Sequence, residues 1–331
     1  MTLIISMIYK QHEQAKRMAI FFGFAALSGA FGGLIATGLA SVQNAGGLEG
    51  WRWLYIIEGL ISVCASIWLF CCLPARFEVI PFLNERERHL MEIRGKQRVK
   101  YMGASDKFEW SYLKDALIDF KTYISFTIQF CHDIILYGFT TFLTAILKLG
   151  LGFTAREAQY MSVPVYLLAG FVFLVSAYLS DRLRLRGSIL FIYNIFGIVG
   201  YILLLSVHNN AVKYFACYLI TFSLYTGPGL NVSWLTNNFA PHYKRATALG
   251  LNQTLGNLAG AIAGQIFTKS PYTFGNSFSL GCIVLTNVLC LSQITILRYI
   301  NKRRERILNG EIPDDQKNRR GDWALDFKYC L

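Results

Sequence analysis

Lysine and arginine avoid every second gap between the apolar stretches of this chain. Of its 32 basic residues, 27 fall in one set of alternating gaps, and only Arg52, Lys148, Arg156, Lys213 and Lys269 fall in the other. The favoured clusters are Lys10, Lys16 and Arg17; ten residues from Arg76 to Lys121; Arg182, Arg184 and Arg186; Lys244 and Arg245; and nine residues from Arg298 to Lys328. Short cytoplasmic loops beside membrane helices carry such an excess, so the alternation predicts a multi-pass topology with these five clusters on the cytoplasmic face. It also accounts for the net charge of +12. A nucleic-acid binder would gather that charge on one face or tail, so nucleic acid is not an expected partner.

The composition agrees with a lipid environment. With 54% hydrophobic and 16% charged residues, the 331-residue chain is too apolar and too sparsely charged for a typical water-soluble protein. A helix needs about 20 apolar residues to cross a hydrocarbon layer roughly 30 Å thick. Eight segments qualify, at 18–42, 53–73, 122–146, 160–179, 188–207, 214–239, 247–267 and 278–300. They are long and lack strict alternation, which argues against a barrel. The expected fold is all-α: a polytopic helical membrane protein with membrane lipid as its solvent. Of the eight cysteines none forms a CxxC pair, and seven lie in the predicted spans as small hydrophobes, with no disulfide or metal role expected. Met1–Tyr9 lacks the basic start and small-residue cleavage site of a signal peptide.

The organisation follows from two further features. Between the second and third spans lies the one long polar stretch, 74–121, whose LNERERHLMEIRGKQRVK suggests a short solvated helix. A repeat then relates the first span to the seventh. When Arg17 is placed over Arg245, Lys16 meets Lys244, and Ser28, Gly32 and Ala36 meet Gly256, Gly260 and Gly264 without a gap. Such small-residue seams let helices approach closely in lipid, although they recur in many polytopic proteins. Parallel repeats of six helices around a long cytoplasmic loop are one known plan. Under it, about four helices would precede Arg17, and MTLIISMIY would be the stump of the fourth. The expected divisions are the end of an N-terminal bundle (1–73), a cytoplasmic central loop (74–121), a complete C-terminal six-helix bundle (122–300) and a basic cytoplasmic tail (301–331).

Several strings carry a resemblance: YKQHEQAKRMAIFFGFAALSGAFGGLIATGL, GLEGWRWLYIIEGL, YLSDRLRLRG, YKRATALGLNQTLGNLAGAIAG and the terminal GDWALDFKYCL. Together they resemble the major facilitator superfamily, and within it the fungal anion:cation symporter branch, the allantoate permease family. The resemblance implies a plasma-membrane, proton-coupled importer of small organic anions such as ureido acids, vitamin carboxylates or sulfur compounds. It also implies twelve helices around a central cavity lined by both halves. A chain lacking the first third is then either part of such a symporter or a non-transporting remnant that at most associates with other membrane proteins.

Candidate residues follow from the cost of ionisable groups at mid-membrane, about 2.5 to 3.5 kcal/mol on insertion scales. His132 and Asp133 lie roughly 10 to 12 residues inside the third span, near the bilayer midplane at about 1.5 Å per residue. With Gln129 and Tyr137 they are expected on one helix face through spacings of three and four. They could exchange a proton during transport, or form a structural His–Asp pair or an interior helix contact. In the sixth span, TGPGLN places Pro228 between two glycines, which predicts a kink or hinge flanked by Tyr225 and Asn231, residues that could meet substrate. In the seventh, Gln253 and Asn257 lie one turn apart beside the glycine seam, to meet a substrate carboxylate or to join two helices. Glu58, matching the family's Glu-Gly, could form an interfacial ion pair with Arg52. The Asp181–Arg186 turn, with Arg182 between, resembles the family's latch; positive-inside anchoring explains it as simply, as it does Arg245. No cofactor, metal or enzymatic chemistry is expected. Metal-ligand spacings and nucleophile–base arrangements are missing, and the glycine-rich GAFGG lies inside a span.

Overall fold

The computed structural model describes residues 11–40, 45–72, 83–102, 109–268, 272–314 and 321–331. The expected stump at Met1–Tyr9 and the basic residues Lys10, Arg76, Lys107, Lys269, Lys317, Arg319 and Arg320 lie outside the described residues. Among those described, every regular element is helical. In chain order they are α1 (Gln11–Ala40), α2 (Gly50–Cys72), α3 (Glu85–Met102), α4 (Trp110–Ile118), α5 (Phe120–Ala145), α6 (Ala155–Leu183), α7 (Arg186–Ser206), α8 (Asn210–Leu224), α9 (Thr226–Asn238), α10 (His242–Asn257), α11 (Ala259–Ile266) and α12 (Thr273–Leu308). Five helical stretches are long and apolar enough to cross a membrane: α2, α5 extended to Leu149, α6, α7 and α12. In α1 the apolar part is Gly23–Leu39. The sixth and seventh predicted spans are each divided, into α8 with α9 and α10 with α11.

The chain forms two compact units, one running from Gly32 to Asp106 and the other containing α1 up to Phe31 and everything from α4 onward. In the smaller unit, α2 is apolar all round and buries none of its side chains. Side chains such as Leu60, Ile61 and Phe70 lie exposed, a surface suited to lipid or to neighbouring helices and not to water. Arg52 lies over the Trp51 ring, 5.3 Å from its centroid, and among the described residues no ion pair joins it to Glu58. The expected Arg52–Glu58 pair is therefore not formed: the guanidinium finds its partner one residue away. The polar stretch forms α3, where Glu87 accepts from the Asn84 backbone N–H at 2.9 Å, half of a capping box.

In the larger unit, local signals start the helices. Asp119 caps α5 by accepting from Lys121 N–H at 3.0 Å, a reciprocal Thr154–Glu157 capping box opens α6, and Asn209 caps α8. The helix pair α7–α8 meets through glycine. A Cβ on Gly197 would stand 2.5 Å from Ser223 Oγ, and one on Gly200 2.9 Å from the Ala216 carbonyl oxygen, so only hydrogen permits this approach. The first span also packs through small residues: Ala26 faces Gly170, and Gly29 faces the Tyr166 ring.

The first division has a local cause. Pro228 falls in the first turn of α9, where no intrahelical donor is needed. The kink expected at TGPGLN is thus a helix end at Leu224 and a new start at Thr226. The second division was not expected: within the predicted span 247–267 the helix is interrupted at Leu258, whose backbone stays in the right-handed helical region. Beside it the Asn257 side-chain amide donates to the Gln253 carbonyl at 2.7 Å. Flanking Gly256 and Gly260 lower the cost of leaving the helix. Cys131, Cys217, Cys282 and Cys290 are the small buried residues expected, but Cys64, Cys71 and Cys72 lie exposed on α2.

Candidate functional site

Helix α5 carries a polar stripe through the middle of the bundle. Ser125, Gln129, Asp133 and Tyr137 follow at intervals of four, so they lie along one face. Asp133 is 4% exposed. Gln129 Nε2 donates to its two carboxylate oxygens at 3.1 and 3.2 Å. Gln129 Oε1 in turn accepts from Asn231 Nδ2 at 3.0 Å and from Asn252 Nδ2 at 3.5 Å. Ser125 Oγ lies 3.1 Å from Asn231 Oδ1 and 3.3 Å from Asn252 Oδ1, and the Ser125 carbonyl accepts from Asn231 Nδ2 at 2.9 Å. A chain of amides from α9 and α10 therefore ends on the carboxylate. No ion pair reaches Asp133 among the described residues, so its charge is met only by an amide.

The glycine seam allows this approach. A Cβ on Gly256 would stand 2.6 Å from Gln129 Cγ and 2.7 Å from Asp133 Oδ2, and one on Gly260 3.4 Å from the Tyr137 ring; Gly264 faces open space. One turn beyond Asp133, Tyr137 donates to Asn257 Oδ1 at 2.6 Å. Tyr137, Thr141, Phe142, Gly260, Ala263 and Gly264 then line a small, mostly apolar cavity of about 200 Å³. Gln253 is half-buried and lends Asn257 its carbonyl.

His132 does not share this face, which corrects the expected grouping. Its imidazole is fully buried with neither ring nitrogen hydrogen-bonded, and it packs on α9, where a Cβ on Gly227 would collide with the ring. Adjacent residues on a helix point about 100° apart, so His132 and Asp133 serve different interfaces. The structural His–Asp pair is accordingly absent. Tyr225, at the break, is buried with its hydroxyl turned towards Gly29 on α1.

The turn between α6 and α7 is ordered by charge. Asp181 and Arg186 pair at 3.1 Å, both buried. With the Asn237 amide oxygen turned towards it, Arg186 also donates to α9 at 2.7 and 2.9 Å. Arg182 is exposed and stands outside this pair. Arg245 is buried and donates from Nε to the Phe239 carbonyl at 3.0 Å.

The residues missed from sequence are Ser125 and Asn252, and a fully buried cluster at the end of the bundle: Asp119, Lys121, Lys244 and Asp322. Lys244 Nζ bonds Asp119 at 2.7 Å and Asp322 at 2.8 Å, and Lys121 pairs with both carboxylates. Ser125 and Asn252 were legible in principle, as polar residues one turn before Gln129 and before Gly256. Lys121 and Lys244 read as solvated flanks, because their shared partner Asp322 is remote in sequence.

Residues 1–264 match the family model described as Major Facilitator Superfamily. An uncharacterized transporter of Schizosaccharomyces pombe is 51% identical over 100% of this chain and 68% of its own length. A second uncharacterized transporter of that species is 43% identical over 100% of this chain and 66% of its own. The high-affinity nicotinic acid transporter of Saccharomyces cerevisiae is 34% identical over 99% of this chain and 62% of its own length. The chain thus spans about two thirds of the length of these relatives. With its apolar helices and its profile match, it is a polytopic, all-helical integral membrane protein that belongs to the major facilitator superfamily.

Proposed function

We propose that this chain carries the C-terminal bundle of a proton-coupled carrier for small organic anions, of the allantoate permease branch and in the plasma membrane. Asp133 is the coupling group in this reading. The observation that carries it is a carboxylate deep in the bundle that, among the described residues, accepts hydrogen bonds from Gln129 alone. An ionisable group held there is costly and usually serves an ion pathway, and a mobile proton is the cation that completes the site without a fixed counter-ion. Asn257, Tyr137 and Gln253, beside the small cavity, offer hydrogen bonds to a substrate carboxylate. A relative whose name records nicotinic acid as cargo supports an acid of that size. His132, held against Gly227, would gain partners for its ring nitrogens only if α9 moved. Such movement is what alternating access at the Tyr225 break would supply.

The test is uptake of labelled nicotinate and a panel of other organic acids in cells lacking their own permeases, with and without a protonophore. The proposal expects accumulation that collapses with the protonophore. Absence of accumulation by this chain rejects it as an autonomous carrier, and protonophore-insensitive accumulation rejects proton coupling.

A further inference from the structure

The last eleven residues, GDWALDFKYCL, fold back onto the basic end of the larger unit and meet nearly all of its helix ends. Asp322 pairs with Lys121 at the start of α5 and with Lys244 at the start of α10. Tyr329 exchanges backbone hydrogen bonds with the Asn301 amide of α12, at 2.9 and 3.0 Å. Cys330 does the same with Asn238 of α9, at 2.8 and 3.0 Å, and its carbonyl also accepts from Trp234 Nε1 at 2.9 Å. Its thiol reaches the Arg184 carbonyl in the α6–α7 turn at 3.5 Å. Residues from five regions of sequence thus close on one short peptide.

Charge makes this docking more than a cover. Lys121 and Lys244 are both buried, and the Phe239 and Trp323 rings lie 4.7 to 5.4 Å from the ammonium groups. Aromatic faces attract such cations, most strongly when water is excluded. Asp119 and Asp322 balance the two ammonium groups. The hydrogen bonds of Arg304, also buried, all go to the tail: to the Asp322 and Phe327 carbonyls and the Tyr329 hydroxyl. Burial, and then the charge of Asp322, push the Tyr329 hydroxyl well above its ordinary pKa, so it remains a neutral acceptor for Lys121 and Arg304. With the tail away, Lys121 and Lys244 would face Asp119 alone, and Arg304 would lose these three acceptors.

We propose that this end of the bundle is a peptide-binding site for the chain's own C-terminus, and that residues 321–331 act as a releasable lock. Docking, governed by Asp322, links α5, α9, α10 and α12 and reaches the α6–α7 turn; release removes these links while Arg186 keeps its bonds to Asp181 and Asn237. The buried quartet gives docking a sharp dependence on one side chain, because removing one partner of a buried ion pair leaves the other charge uncompensated.

Carboxypeptidase trimming of the purified full chain, read by intact mass, tests this without reference to transport. The intact protein should resist loss of Leu331, Cys330 and Tyr329. Asp322→Asn should be trimmed at least about tenfold faster, through more frequent local opening, while hydrogen exchange in α7 and α8 stays unchanged. Equal resistance of Asp322→Asn and wild type would overturn the proposal. So would loss of exchange protection throughout the bundle in that variant, since the tail would then be part of the folding core and not a lock.

Discussion

At the scale of single residues, absence of a side chain matters as much as presence. Gly256 lets α10 lie against Gln129 and Asp133, and its replacement by Ala must push one of them aside. We expect Gly256→Ala to cost roughly 1–3 kcal/mol, the usual penalty for overpacking, read as a lowered midpoint in thermal unfolding of the purified protein. Gly264→Ala is the paired control. Its Cβ meets nothing within 4 Å, so its midpoint should not fall. The spacing of Ser125, Gln129, Asp133 and Tyr137 was legible in sequence because helical periodicity is a local rule. The contact of His132 with Gly227 was not, because it depends on a glycine of another helix. Neither were the roles of Lys121 and Lys244, whose partner Asp322 lies 201 and 78 positions away.

At the scale of elements, the two divided spans show what local pattern carries and where it stops. Gly227-Pro228-Gly229 announced the first break, since proline and glycine act through their own backbone. The break after Asn257 has no such signal: the Asn257 amide bonds the Gln253 carbonyl there, but Thr127, Thr140, Ser292 and Thr295 make the same bond to the carbonyl four residues back inside unbroken helices. Proline in the first turn of α9 gives up no hydrogen bond, so Pro228→Ala should shift the unfolding midpoint little, by less than about 1 kcal/mol. Gly227→Ala, two atoms of chain away, should be far worse because its methyl falls on the His132 imidazole. Equal effects from both substitutions would mean that the break, and not the α5–α9 approach, sets the stability of this region.

At the scale of the whole molecule, the alternation of charge and the folded unit agree. Lys121, Lys244, Arg304 and the Arg184 turn come from four separate basic clusters, yet one C-terminal peptide touches all of them. They therefore occupy one end of the bundle, as a shared cytoplasmic face requires. Cysteine labelling checks the orientation: exposed Arg182→Cys and Arg306→Cys should react with an impermeant maleimide only in permeabilised cells, and Arg156→Cys in intact ones. Reaction of Arg182→Cys from outside would reverse the topology.

The central claim is that Asp133 couples a proton to the movement of an anion, and reconstituted vesicles separate coupling from movement. With an inward proton gradient and labelled nicotinate, the wild-type protein should accumulate substrate above equilibrium. Asp133→Asn should still exchange internal for external nicotinate but lose the gradient-driven accumulation. Undiminished accumulation by Asp133→Asn would contradict the account.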